Sequence, residues 1–258
     1  SDLDEEWPQS ADELRQAIWC FGDSFTVGYG SPRSHTWTFL LQKKIQQRCI
    51  NVSMNGASNQ WIARKVSELC REVVPGVVVI HWSFTHRREL SELDIPNLAN
   101  QHWQRFYSKI RDAAWPDIDL WNFDLLPDAI KKEIKDQHFN AEQEKFNFEY
   151  ICNDIFDEDR VIHYAENATV DDDTQNLLQC VDAVESISRQ NNFKVVHSFI
   201  PNFALPEESY KIHNHMQALN YSFIPELQQI DFARDGFHYD RSTAQTLVDQ
   251  IIPLINGV

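Results

Sequence analysis

The residues best suited to chemistry in this chain stand near its two ends. Close to the N-terminus, Ile18-Trp19-Cys20-Phe21-Gly22-Asp23-Ser24-Phe25 is a short apolar run that breaks off in Gly-Asp-Ser. Close to the C-terminus stands Asp235-Gly236-Phe237-His238. A serine hydroxyl is a weak nucleophile at neutral pH and needs a base within hydrogen-bond reach, with an orienting group behind that base. His238 is the candidate base. Asp235 precedes it at a spacing that lets one loop present both side chains. Ser24 falls where the first strand is expected to end, and in parallel sheets that edge is where ligands bind. Either segment alone reads equally well as a turn or a polar loop. Together, at opposite ends of the chain, they read as nucleophile, base and orienter.

The elements that must position these groups follow from hydrophobic periodicity. Strands are expected at residues 17–21, 49–54, 77–82 and 193–200, with a short one at 229–232. Helical spacing of apolar residues predicts helices over 35–48, 59–74, 95–114, 174–190 and 243–254. Asp171, Asp172 and Asp173 sit where the fourth of these helices begins, as carboxylates at a helix N-terminus should. Strands that alternate with helices favour a mostly parallel sheet covered on both faces. The expected architecture is α/β, a three-layer α/β/α sandwich around a sheet of about five strands. One domain is expected over 1–258, with an elaborated insertion at about 115–173 that is charged and aromatic and could cover the site.

Composition narrows the function classes. At 258 residues, with 42% hydrophobic and 12% aromatic residues, the chain suits a packed globular protein. Its longest apolar run, Val77-Val78-Val79-Ile80, has the length of a buried strand and falls far short of a membrane span. The acidic start shows no signal-peptide pattern, so a cytoplasmic or otherwise soluble location is expected, with no membrane partner. A formal net charge of -16 leaves no basic stripe to neutralise phosphates, which argues against nucleic acid. The five cysteines (Cys20, Cys49, Cys70, Cys152 and Cys180) are odd in number, widely spaced and without a CxxC pair. That pattern fits a reducing compartment and neither a disulfide framework nor a zinc site. His213 and His215 would point to different faces of a helix and could not chelate together. No metal and no cofactor is expected.

Gly22-Asp23-Ser24-Phe25 resembles the first block of the SGNH or GDSL hydrolases, and Asp235-Gly236-Phe237-His238 resembles their last block. The resemblance implies a flavodoxin-like three-layer fold, with Ser24 as nucleophile, His238 as base and Asp235 as its orienter. Asn55-Gly56-Ala57-Ser58-Asn59 follows the second strand, where the family places an oxyanion-hole glycine, and Gly56 is the matching position. The resemblance spans about residues 18–254, apart from the insertion. One block departs from the pattern. The family usually carries Gly-x-Asn-Asp after the third strand, and its Asn side chain is the third oxyanion donor. Here Ser83-Phe84-Thr85-His86 occupies those positions, so Thr85 stands where asparagine is expected. A threonine hydroxyl can donate one hydrogen bond but reaches less far than an amide, and loss of one such donor typically costs about 100- to 1,000-fold in rate. The stretch from His81 to Glu89 resembles the third block of some phage and marine-bacterial members.

The implied activity is hydrolysis of an ester, an O-acyl carbohydrate or a small acyl ester, through an acyl-enzyme. The backbone N–H groups of Ser24 and Gly56 would form the oxyanion hole with Thr85, or with Ser83, His86 or Arg87 as the substitute for the missing asparagine. Asp23, Ser83 and Arg87 lie at the same expected edge and are candidate substrate contacts, and an arginine there suits a carboxylate or a developing negative charge. A substrate partner is therefore a small-molecule or carbohydrate ester. Two alternatives share the fold: a binding or structural module with weak or no catalysis, which Thr85 motivates, and an acyltransferase on the same triad. His81 and His86 read as hydrogen-bonded structural histidines. Fold does not choose among substrates, and sequence does not fix the oligomeric state.

Overall fold

A computed structural model describes residues 11–87 and 169–257. The elements run α1 (Ala11–Gln16), β1 (Ile18–Gly22), α2 (Ser24–Val27), α3 (Trp37–Ile45), β2 (Cys49–Ser53), α4 (Asn59–Glu72), β3 (Val77–Trp82), α5 (Val170–Asn191), β4 (Lys194–Phe199), α6 (Pro206–Ala218) and α7 (Arg241–Asn256). Among the described residues the sheet has four strands in the order β2-β1-β3-β4, all parallel. The fold class is the expected α/β architecture. The helix expected at 95–114 and nearly all of the segment expected at 115–173 lie outside the described residues.

β1 is an unbroken apolar run because both of its faces are covered. All five of its residues are buried, as are Val78 to Trp82 of β3. A parallel strand buried on both faces needs no polar alternation. The helices form two groups: α3 packs with α7, and α4 packs with α5, which also meets α6. Cys20 is fully buried in β1, and burial, helped by the neighbouring Cys49 thiol, pushes its thiol up and keeps it protonated.

Two helices start earlier than their apolar spacing suggests, and capping explains both. Thr169 accepts from the Asp172 N–H at 3.2 Å while Asp172 accepts from the Thr169 N–H at 2.9 Å, a reciprocal box that opens α5 at Val170. α7 is capped from outside the helix. Asp231 Oδ1 accepts from the N–H groups of Asp240 (3.2 Å) and Thr243 (3.0 Å), and Oδ2 accepts from Ser242 N–H (2.6 Å).

The same contacts correct one expectation. Residues 229–232 form no strand. Ile230 and Asp231 give their N–H groups to the Thr243 hydroxyl at 3.0 and 3.3 Å, so these donors are unavailable for strand pairing. Ile230 and Phe232 are left exposed, where a short strand is expected from the sequence. Next to β4 there is instead an isolated bridge between His197 and Phe223.

Candidate active site

β1 delivers Ser24 to the C-terminal edge of the sheet. The strand ends at Gly22, and Ser24 opens the four-residue helix α2. Asp23 caps that helix, its Oδ1 accepting from Phe25 N–H at 3.0 Å. The chain then returns by a loop at the far end of the molecule's sequence. The Asp235 to His238 turn is closed by Gly236 N–H donating to Ala233 C=O at 2.8 Å. Asp235 Oδ1 accepts from the N–H groups of Phe237 (2.9 Å) and His238 (3.0 Å), which fixes the carboxylate within its own loop.

The result is a continuous chain of hydrogen bonds. Asp235 Oδ2 lies 2.6 Å from His238 Nδ1, and His238 Nε2 lies 2.7 Å from Ser24 Oγ. A carboxylate only accepts, so the proton sits on Nδ1 and the bare Nε2 faces the serine hydroxyl. Exposure is 7% for Ser24, 4% for Asp235 and 5% for His238, so little water competes for these contacts. Phe25 lies against the His238 ring (centroids 4.5 Å apart), and Phe237 meets it edge-on at 5.1 Å. Gly30 packs against the Asp235 carboxylate. A Cβ built there would sit 2.7 Å from the Asp235 carboxylate, at a backbone φ of +76°.

Gly56 is held beside this edge. Met54 N–H donates to Gly22 C=O at 3.2 Å, and Ala57 N–H donates to Met54 C=O at 3.1 Å, which closes the turn around Gly56. Gly56 itself has a φ of +75°, a left-handed conformation that suits glycine. Thr85 is buried, and its N–H donates to Phe203 C=O at 3.0 Å, so its backbone is tied to the loop after β4.

Asp23, Ser83 and Arg87 meet one another. Asp23 Oδ2 accepts from the Ser83 hydroxyl at 2.7 Å and from Arg87 Nη1 at 2.8 Å, and Arg87 Nη1 also reaches Ser83 Oγ at 2.8 Å. Asp23 and Ser83 are fully buried, and their side chains bond to each other and to Arg87. The Arg87 guanidinium also lies over the Phe84 ring, 4.9 Å from its centroid.

Asn59 and the partners of His81 escaped sequence reasoning. Asn59, the first residue of α4, clamps the loop after β3: its Oδ1 accepts from Ser83 N–H at 2.9 Å, and its Nδ2 donates to the carbonyls of Ser83 and Phe84 at 3.2 and 3.1 Å. Only its place directly after the Gly56 turn could have marked it. The second group lies under the histidine loop. Ser198 donates its hydroxyl proton to Ile80 C=O at 3.0 Å, so its oxygen accepts from His81 Nδ1–H at 2.9 Å. His81 Nε2 is then bare and accepts from the Tyr239 hydroxyl at 3.1 Å. Burial lowers the His81 pKa to about 3 and raises that of Tyr239, so the imidazole stays neutral and the phenol stays a donor. The signal was a single histidine in the otherwise apolar run from Val77 to Trp82. The expectation for the helical histidines concerns different partners: His215 Nε2 lies 2.9 Å from Asp182, while His213 stacks on Phe223 with centroids 5.6 Å apart.

Among solved structures, the chain is similar to TesA at 15% sequence identity and a TM-score of 0.52, with 94% of this chain and 99% of that one covered. The fold is the SGNH hydrolase fold. Lower structural similarity extends to the psychrotrophic esterase EstA from Pseudoalteromonas sp., at 14% identity, 94% and 97% coverage and a TM-score of 0.46. A GDSL-like lipase from Bacteroides thetaiotaomicron VPI-5482 gives 10% identity, 98% and 92% coverage and a TM-score of 0.48. No family model matches the sequence, and no curated protein matches it by sequence. In the SGNH fold, then, Ser24 stands after the first strand and Asp235 and His238 stand just before the last helix. Among the described residues no helix is long and apolar enough to cross a membrane, and no group of three or more His, Cys, Asp or Glu could hold a metal ion.

Proposed function

We propose that the protein is a serine ester hydrolase of the SGNH kind, acting on an O-acyl carbohydrate or a small acyl ester. The observation that carries this reading is the run of contacts from Asp235 through His238 to Ser24, at 2.6 and 2.7 Å. His238 Nε2 takes the Ser24 proton as Oγ attacks the ester carbonyl, and the imidazolium that forms is stabilised by Asp235. The backbone N–H groups of Ser24 and Gly56 and the Thr85 hydroxyl hold the oxyanion. His238 then protonates the departing alkoxide oxygen, leaving an acyl-Ser24. Water, deprotonated by the same imidazole, attacks the acyl group and returns the serine. A sugar hydroxyl in place of that water would make the same site an acyltransferase.

The test is hydrolysis of short-chain p-nitrophenyl esters by the wild-type protein and by Ser24→Ala. Loss of about 10,000-fold or more in kcat is expected, the usual scale for removing a nucleophile from such a triad. Equal rates for the two proteins would refute the reading.

A further inference from the structure

Asp23 puts a fully buried carboxylate immediately before the proposed nucleophile. Its field reaches Tyr239, where it adds to burial in raising the phenol pKa. Ester hydrolysis develops a second negative charge on the carbonyl oxygen beside Ser24, and like charges in a water-poor site oppose one another. Yet Asp23 is not unpaired: the Arg87 guanidinium sits 2.8 Å from its Oδ2. That contact also joins the exit of β1 to the exit of β3, across 64 residues of sequence.

We propose that Arg87 is a positioning residue that acts through Asp23. Its positive charge offsets the buried carboxylate, so the oxyanion forms next to a neutral pair instead of a bare anion. The same Nη1 also holds Ser83 Oγ, and with it the loop that carries Thr85, against the start of α2. The substrate itself is not its partner. This inference rests on the hydrolase reading above.

The test is a double-mutant cycle on p-nitrophenyl ester hydrolysis, with kcat and KM measured separately. The proteins are wild type, Arg87→Gln, Asp23→Asn, the double variant and Ser24→Ala. Arg87→Gln leaves Asp23 unpaired and is expected to lower kcat by about 10- to 100-fold with KM nearly unchanged. In the Asp23→Asn background the same substitution is expected to change kcat by less than about threefold. An equal loss in both backgrounds, or a rise in KM with kcat unchanged, would mean that Arg87 meets the substrate directly and would overturn the proposal. Arg87→Lys keeps the charge without the fork and gives the readout if Arg87→Gln does not fold. Its kcat is expected within about fivefold of wild type, and a loss of about 100-fold in the folded lysine variant would overturn the charge argument. Equal rates for wild type and Ser24→Ala would overturn both this inference and the hydrolase reading, whereas an active wild type with the wrong cycle would overturn this inference alone.

Discussion

Acid should destabilise this protein through one buried histidine that takes no part in the proposed chemistry. His81 stays unprotonated in the folded chain until the pH approaches about 3, because burial opposes its charge. In the unfolded chain it takes up a proton below its ordinary value of 6.5. The unfolded state therefore binds more protons between those limits, so stability present above pH 6.5 is lost as the pH falls. Integrating one proton at about 1.4 kcal/mol per pH unit gives a loss of about 2 kcal/mol between pH 7.5 and pH 5. That figure requires only that the folded pKa lie well below 5. For a chain of this size it corresponds to a drop in Tm of about 4–8 °C. The perturbation that isolates it is His81→Gln, which can still accept from Tyr239 and donate to Ser198 but does not titrate. Thermal unfolding by circular dichroism at both pH values should show a smaller acid drop in His81→Gln than in wild type, by about 2 kcal/mol. Other titrating groups are common to the two proteins and cancel in the difference. Identical acid drops would refute the assignment of a neutral, buried His81.

Substitutions at three further positions probe the site's supports. Gly30→Ala would push a methyl group to 2.7 Å from the Asp235 carboxylate, and kcat for p-nitrophenyl esters should fall by about 100-fold while the protein remains folded; unchanged kcat would show that Asp235 tolerates displacement. Asn59→Ala strands the buried Ser83 N–H and the two carbonyls it serves, at a cost of about 2–3 kcal/mol. Its Tm should drop by about 4–12 °C, and a drop below about 2 °C would remove Asn59 as the clamp of that loop. Thr85→Val should lower kcat by about 10-fold or more with little change in KM, whereas Thr85→Ser should retain activity; equal kcat for valine and threonine would exclude the hydroxyl as an oxyanion donor.

Much of the scaffold was legible because its signals are local. The continuous apolar run of β3 fixed its bounds at Val77 and Trp82 without adjustment, and the helical spacing of α4 and α5 gave both helices to within a few residues. The glycine, aspartate and serine after β1 could be placed at the sheet edge for the same reason. What stayed hidden depends on partners distant in sequence. Asp23 and Arg87 looked like two separate residues facing a ligand, and only the folded chain brings them within 2.8 Å of each other. The helix cap offered by Asp231 comes from ten residues before α7, and nothing in residues 229–232 announces that their N–H groups are spent on Thr243. His81 was legible as a structural histidine, but its tautomer followed only from the donor that Ser198 gives to Ile80. The third oxyanion donor was the weakest reading for a similar reason: a departure from a familiar pattern shows what is missing and not what replaces it.

The serine and the histidine that touch at 2.7 Å are separated by 214 residues of chain. At a synthesis rate of about 5–20 residues per second, the serine is made on the order of 10–40 seconds before the histidine. Throughout that interval the nascent chain carries a hydroxyl with no imidazole to activate it. A fragment that stops short of residue 238 would carry the complete β1 exit and the Gly56 turn yet have no means of taking the proton. Under the proposed mechanism, the later-made segment is the one that arms the earlier.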